Sequence, residues 1–104
     1  MQALAETIKL AETLGVDPQL FLDTIAGGPL DVQYAHLKGG AMIAREFPTS
    51  FALELARKDI GLVLEAAEEA GITLPATAAT AQSLDKAIDA GHGQEDLAAA
   101  YLGL

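Results

Sequence analysis

Apolar positions recur at spacings of three and four along most of the chain, and turn residues separate the runs. Leu4, Ile8, Leu10, Ala11 and Leu14 predict a helix over residues 2–14, with Gly15 placed to stop it. Its opening, Met1-Gln2-Ala3, carries no capping residue, which suggests a chain that begins inside a longer helix. Asp17 is a good N-cap and Pro18 suits the first helical position. They open a short second helix with Leu20, Phe21, Leu22 and Ile25 as its apolar face, and Gly27-Gly28-Pro29 ends it. Residues 31–44 predict a third helical stretch through Val32, Leu37, Met42 and Ile43, interrupted at Gly39-Gly40. "REFPTS" is a loop, since Pro48 disfavours helix at the residue before it, and Thr49 or Ser50 is placed to cap the fourth helix. In that helix Leu53, Ala56, Ile60, Leu64 and Ala67 draw one buried stripe, and Gly71 ends it. Pro75 starts a fifth helix to about Ala90, with Leu84 and Ile88 inward. After the turn "AGHGQED", Asp96 or Glu95 opens a last short helix through Leu102. No repeat and no strand pattern appears, so the expected fold is all-α, with five or six helices joined by short loops.

Composition narrows the picture. The 104 residues suffice for one domain with a modest core, and 51% of them are hydrophobic. There is no Cys, which removes disulfides and thiolate chemistry. No apolar run approaches the roughly 20 residues that span a bilayer, and the charged opening lacks a signal core, so a cytoplasmic protein is expected. The formal net charge of −9 speaks against nucleic acid as a partner. Four of the six cations, Lys38, Arg45, Arg57 and Lys58, nevertheless fall between residues 38 and 58. Their clustering predicts a local electropositive edge on an acidic body, suited to a small anion.

Catalytic patterns are missing. No phosphate-cradling glycine loop is found after a strand, and His36 and His92 have no partner ligand at i+4, so no metal site is expected. Ser50 and Ser83 lack a local partner pattern for a nucleophile. The chain does not read as a complete enzyme.

Four segments, in order, carry a resemblance: "AETLGVDPQLFLDTIAGGP", "EFPTSFALELARKDIGLVLE", "AGITLPATAAT" and "AGHGQEDLAAAYL". Over nearly the whole chain they resemble the C-terminal domain of the β-hydroxyacid dehydrogenases. That family includes 3-hydroxyisobutyrate dehydrogenase, tartronate semialdehyde reductase and the glyoxylate and succinic semialdehyde reductases. The resemblance implies a bundle-like domain of the 6-phosphogluconate dehydrogenase C-terminal type. It also implies an N-terminal Rossmann domain that binds NAD or NADP, a homodimer, and a small hydroxyacid or semialdehyde substrate. The family's catalytic lysine stands early on a long interdomain helix in a G-x-x-x-K-x-x-N setting. Lys9, in "TIKLAETL", does not match it, so no catalytic residue is assigned and this piece by itself is expected to be inactive.

By the same resemblance, Lys58 matches a lysine that reaches the dinucleotide, Asp59 the acid beside it, and Phe51 the aromatic lining the substrate and nicotinamide pocket. Arg57 is outside the pattern. Glu46 replaces the usual Asp, Phe47-Pro48 lacks a spacer, and Asp31-Val32 stand where a serine is common. Two alternatives remain open on the sequence alone: a helical dimerisation module without a catalytic role, and the matching domain of an imine reductase.

Overall fold

A computed structural model of the protein describes residues 1–104. Five α-helices run in order: α1 Gln2–Thr13, α2 Gln19–Ile25, α3 Gln33–Ala44, α4 Leu53–Glu69 and α5 Pro75–Ala87. The chain then widens into one π turn, Ile88–His92, and finishes in a 3₁₀ helix, Leu97–Gly103. There is no strand, only an antiparallel bridge between Ala52 and Asp96. The all-α expectation holds, and no helix is long and apolar enough to cross a membrane.

Two apolar clusters hold the fold. One joins α1, α3 and the 3₁₀ helix through Ala5, Ile8, Met42, Ala98 and Tyr101. The other joins α4, α5 and the 3₁₀ helix through Leu53, Ala56, Leu84, Ala87, Ala99 and Ala100. The alanines let the helices approach closely. Phe47 and Leu102 pack against both clusters.

The third helix differs from its sequence reading. It runs unbroken through Gly39 and Gly40. A Cβ on Gly39 would sit 3.1 Å from the Leu22 methyls and 3.4 Å from Ile8 Cδ1, so this glycine is where α1 and α2 approach α3. Packing outweighs the cost of about 1 kcal/mol that a glycine imposes on a helix. The inward face is Ala35, Lys38, Gly39 and Met42, whereas Leu37 and Val32 are exposed. Leu10, Leu14 and Leu20 are exposed as well, although their spacing places them with inward residues.

The capping of α4 also departs from expectation. Neither Thr49 nor Ser50 caps the helix, which begins after Ala52 with no side-chain cap. Its first N–H groups donate instead to distant main chain: Leu53 N to Glu95 O and Glu54 N to Gly93 O, both at 3.0 Å. Thr49 Oγ1 donates to Gln94 O at 2.8 Å. The helix start is therefore closed by the turn that precedes the 3₁₀ helix. The second helix starts one residue later than expected, with Pro18 as its N-cap, although Asp17 still accepts from Gln19 N at 2.9 Å. Asp96 caps the 3₁₀ helix through Ala98 N, as its spacing predicts.

Candidate functional site

The fourth helix turns Leu53, Ala56, Ile60, Leu64 and Ala67 toward the protein, as the stripe predicts. At 100° per residue, Leu55, Lys58, Asp59 and Leu62 fall on the opposite side. All four are exposed, Leu55 and Leu62 by about half. Phe51 lies in the segment that leads into the helix and is 43% exposed. The structure thus gathers the three residues singled out by the sequence onto or beside one outward face. None of the three lines a cavity, so they form one open wall.

The cations between residues 38 and 58 do not form an electropositive edge. Lys38 is buried and ion-paired with Asp96 at 2.7 Å. Arg45 meets Glu12 at 2.8 Å, and its guanidinium lies 4.2 Å from the Tyr101 ring centroid. Arg57 grips both oxygens of Asp85 on α5, at 2.8 and 3.2 Å. Folding neutralises three of the four, because the helices that carry them pack against helices bearing acids. Of these four, only Lys58 has no ion-pair partner, next to the equally unpaired Asp59.

The buried pair reveals residues that the sequence reading missed. Lys38 Nζ donates to Asp96 Oδ1 and Oδ2 at 2.9 and 2.7 Å and to Ser50 Oγ at 3.0 Å. Asp96 Oδ1 also accepts from Ser50 Oγ at 2.8 Å, Ser50 N at 3.1 Å and Phe51 N at 3.3 Å. Burial pushes the Asp96 carboxyl upward, but the Lys38 ammonium, Ala98 N and Ser50 overcome this and hold it well below the usual carboxylate range. The serine and lysine do not form a nucleophile–base pair. A lysine bonded to both oxygens of an ionised carboxylate has no free lone pair with which to take a proton. One local signal was present: Lys38 falls on the inward stripe with Ala35, Gly39 and Met42.

The remaining candidates are engaged locally. Asp31, at the position where a serine is common, accepts from Gly27 N at 2.7 Å and meets His36 Nε2 at 2.5 Å. The Gly27 donor, then His36, lowers its carboxyl below the ordinary range. His92 pairs with Glu95 at 3.2 Å. Lys9 lies 5.0 Å from the Tyr101 ring centroid. The Tyr101 hydroxyl donates to Glu12 and accepts from Arg45 at 2.6 Å. Burial and the Glu12 carboxylate raise the phenol above its usual value.

Comparison with known proteins decides the family. Residues 1–103 match the family described as the NAD-binding domain of NADP-dependent 3-hydroxyisobutyrate dehydrogenase. The chain belongs to this NAD-binding domain family. Its cofactor class, NAD or NADP, agrees with the resemblance read from the four segments. The domain is 32% identical over 99 residues to glyoxylate/succinic semialdehyde reductase 2, chloroplastic, of Arabidopsis thaliana, covering 95% of this chain and 28% of that protein. It is 33% identical over 101 residues to 2-(hydroxymethyl)glutarate dehydrogenase of Eubacterium barkeri, covering 95% and 33% respectively. It is also 31% identical to the cytokine-like nuclear factor N-PAC of Anopheles gambiae, covering 98% of this chain and 18% of that protein. The crystal structure of 3-hydroxyisobutyrate dehydrogenase from Salmonella typhimurium superposes with a TM-score of 0.90 at 22% identity, over 99% of this chain and 36% of that one. The domain thus spans a third or less of the length of these curated relatives.

Proposed function

We propose that this domain is the all-α part of an NAD(P)-dependent dehydrogenase of the 3-hydroxyisobutyrate dehydrogenase type, and that the outward face of α4 is what it presents to dinucleotide and substrate. The observation that carries this reading is the selective neutralisation of the cations. Folding pairs Lys38, Arg45 and Arg57 and leaves Lys58 free on the face that Phe51 adjoins. A free ammonium on a flexible stem suits a phosphate or ribose oxygen. Asp59, beside it in sequence, is placed to orient that ammonium. Phe51 adds an apolar surface that excludes water from the reacting atoms.

NAD(P), when bound, supplies or accepts the hydride. The residues of this domain fit one side of such a ligand and leave the other side open. The dinucleotide fold comes from a Rossmann domain of the same protein and the proton-transfer lysine from the long interdomain helix, a division supported by the share of each relative that this chain covers. The substrate is a small hydroxyacid or semialdehyde, the class named in the two dehydrogenase-type relatives. The imine reductase alternative is disfavoured, since neither of these relatives is named as one.

The domain also helps to build a homodimer. Large apolar side chains on α1, α2 and the α2–α3 connection, including Leu10, Leu14, Leu20 and Leu30, are more than half exposed. A second reading, an assembly module without a catalytic role, draws support from the comparable likeness to a relative named as a nuclear factor.

Light scattering combined with NADPH titration tests both readings. Dinucleotide binding that weakens about 10- to 100-fold in Lys58→Ala, the loss of one charge-assisted bond, supports the α4 face. NADPH binding left unchanged in Lys58→Ala overturns that face, and a dimer that binds no NADPH favours the assembly module.

A further inference from the structure

A buried ion pair is an expensive way to hold a small domain together, because an apolar pair of similar volume often stabilises as well. The position of this one is informative. It ties together three segments distant in sequence: α3 through Lys38, the lead-in to α4 through Ser50 and Phe51, and the 3₁₀ helix through Ala98. Phe51 is fixed on both sides of its backbone. Its N–H donates to Asp96 Oδ1, and its carbonyl accepts from Leu97 N at 2.9 Å. Two residues later the first N–H groups of α4 are taken by Glu95 O and Gly93 O, just before the same aspartate. The side chains of Lys38 and Asp96 are only 7% and 3% exposed, so neither belongs to the outward face.

We infer that Lys38 and Asp96, bridged by Ser50, are positioning residues that hold Phe51 and the first turn of α4 in register, so that Phe51 and Lys58 meet the dinucleotide as one surface. The inference rests on the proposed reading of the α4 face. The clamp acts through the backbone of Ser50 and Phe51, and its own side chains border a separate cavity with Phe47 and Pro48 rather than the outward face of α4. Freed from it, the 46–52 segment keeps its anchor at Phe47, whose carbonyl accepts from Asp96 N at 3.2 Å. Phe51 would then lose its fixed place while the helices stay packed.

The test uses the 104-residue chain. Ser50→Ala removes the bridging hydroxyl and leaves the ion pair, so the fold is retained. Ser50→Thr keeps the hydroxyl. Lys38→Met removes the cation. Amide hydrogen exchange is measured at Phe51, Leu53 and Glu54, with the inner amides of α1 and α5 as reference, and NADPH affinity is measured on the same samples. The expected result for Ser50→Ala is local exchange about 10-fold faster or more, with α1 and α5 unchanged. NADPH affinity falls with it, and Ser50→Thr restores both. Lys38→Met shows the same pattern more strongly if it folds. Exchange that quickens equally everywhere would reduce the clamp to overall stability and overturn the inference. So would local loosening with unchanged affinity, in a chain whose binding Lys58→Ala removes. If Lys58→Ala leaves NADPH binding unchanged, the reading of the face fails. Whether the clamp sets Phe51 is then decided by the exchange at Phe51, Leu53 and Glu54 alone.

Discussion

Asp96 accepts more hydrogen bonds than any other side chain, six in all, and their worth can be checked directly. Lys38→Met strands a buried carboxylate and is expected to cost about 3–5 kcal/mol. Urea unfolding should show this as a lower midpoint at unchanged slope. The pair also fixes the acid response. The folded Asp96 carboxyl titrates below its unfolded value, so the native state resists protonation and the unfolded state takes the proton first. Its contribution is complete above about pH 4, the unfolded value, and is lost as the pH falls from there toward the folded value. Acid titration by circular dichroism should therefore show unfolding beginning below about pH 4, and Lys38→Met should move the onset upward. Of this cluster, the N-cap role of Asp96 and the inward register of Lys38 were legible in the sequence, but their pairing was not. The partners of Asp96 lie up to 58 positions away, and spacing carries no signal over such a distance.

Glycines separate local propensity from packing at the level of single helices. Gly40 has nothing within 4 Å of an added Cβ, so Gly40→Ala should stabilise the chain by about 0.5–1 kcal/mol. Gly39, one residue earlier, meets Leu22 and Ile8, and overpacking of about 1–3 kcal/mol should outweigh the same propensity gain. Gly103 is stricter, because its Cβ would lie 2.7 Å from Ser83 O and 2.9 Å from Ala87 N, backbone atoms of α5 that cannot swing aside. Gly103→Ala should be the most damaging of the three, and melting temperatures will rank them. The periodicity of α4 was enough to find its inward stripe, because Leu53, Ala56, Ile60, Leu64 and Ala67 obey one local rule. The continuity of α3 through two glycines, and the closing of α4 by Gly93 and Glu95, depend on neighbours in space and could not be read that way.

Over the whole molecule, two clusters behave as one because the 3₁₀ helix belongs to both. Ala98 and Tyr101 face one cluster, and Ala99 and Ala100 face the other. Calorimetry should accordingly show a single transition, and separate transitions for α1–α3 and α4–α5 would refute the coupling. Tyr101→Ala should cost about 3–5 kcal/mol, as for other large buried aromatics, and should lower that single transition rather than split it. The family and the outline of the candidate face were legible in four ordered segments. The loss of the expected electropositive edge was not, since it depends on which acids the folded helices bring to Lys38, Arg45 and Arg57. The shared 3₁₀ helix also governs how the chain is made. Synthesis runs from the N-terminus, and all five helices leave the ribosome before residues 97–103 do. Until then Ile8, Met42, Leu53 and Leu84 have no completed core to enter, and the start of α4 waits for the carbonyls of Gly93 and Glu95. The nascent chain therefore leaves uncovered those faces of both clusters that the 3₁₀ helix closes until residues 97–103 emerge, and a pause in translation just before them would prolong that exposure to aggregation.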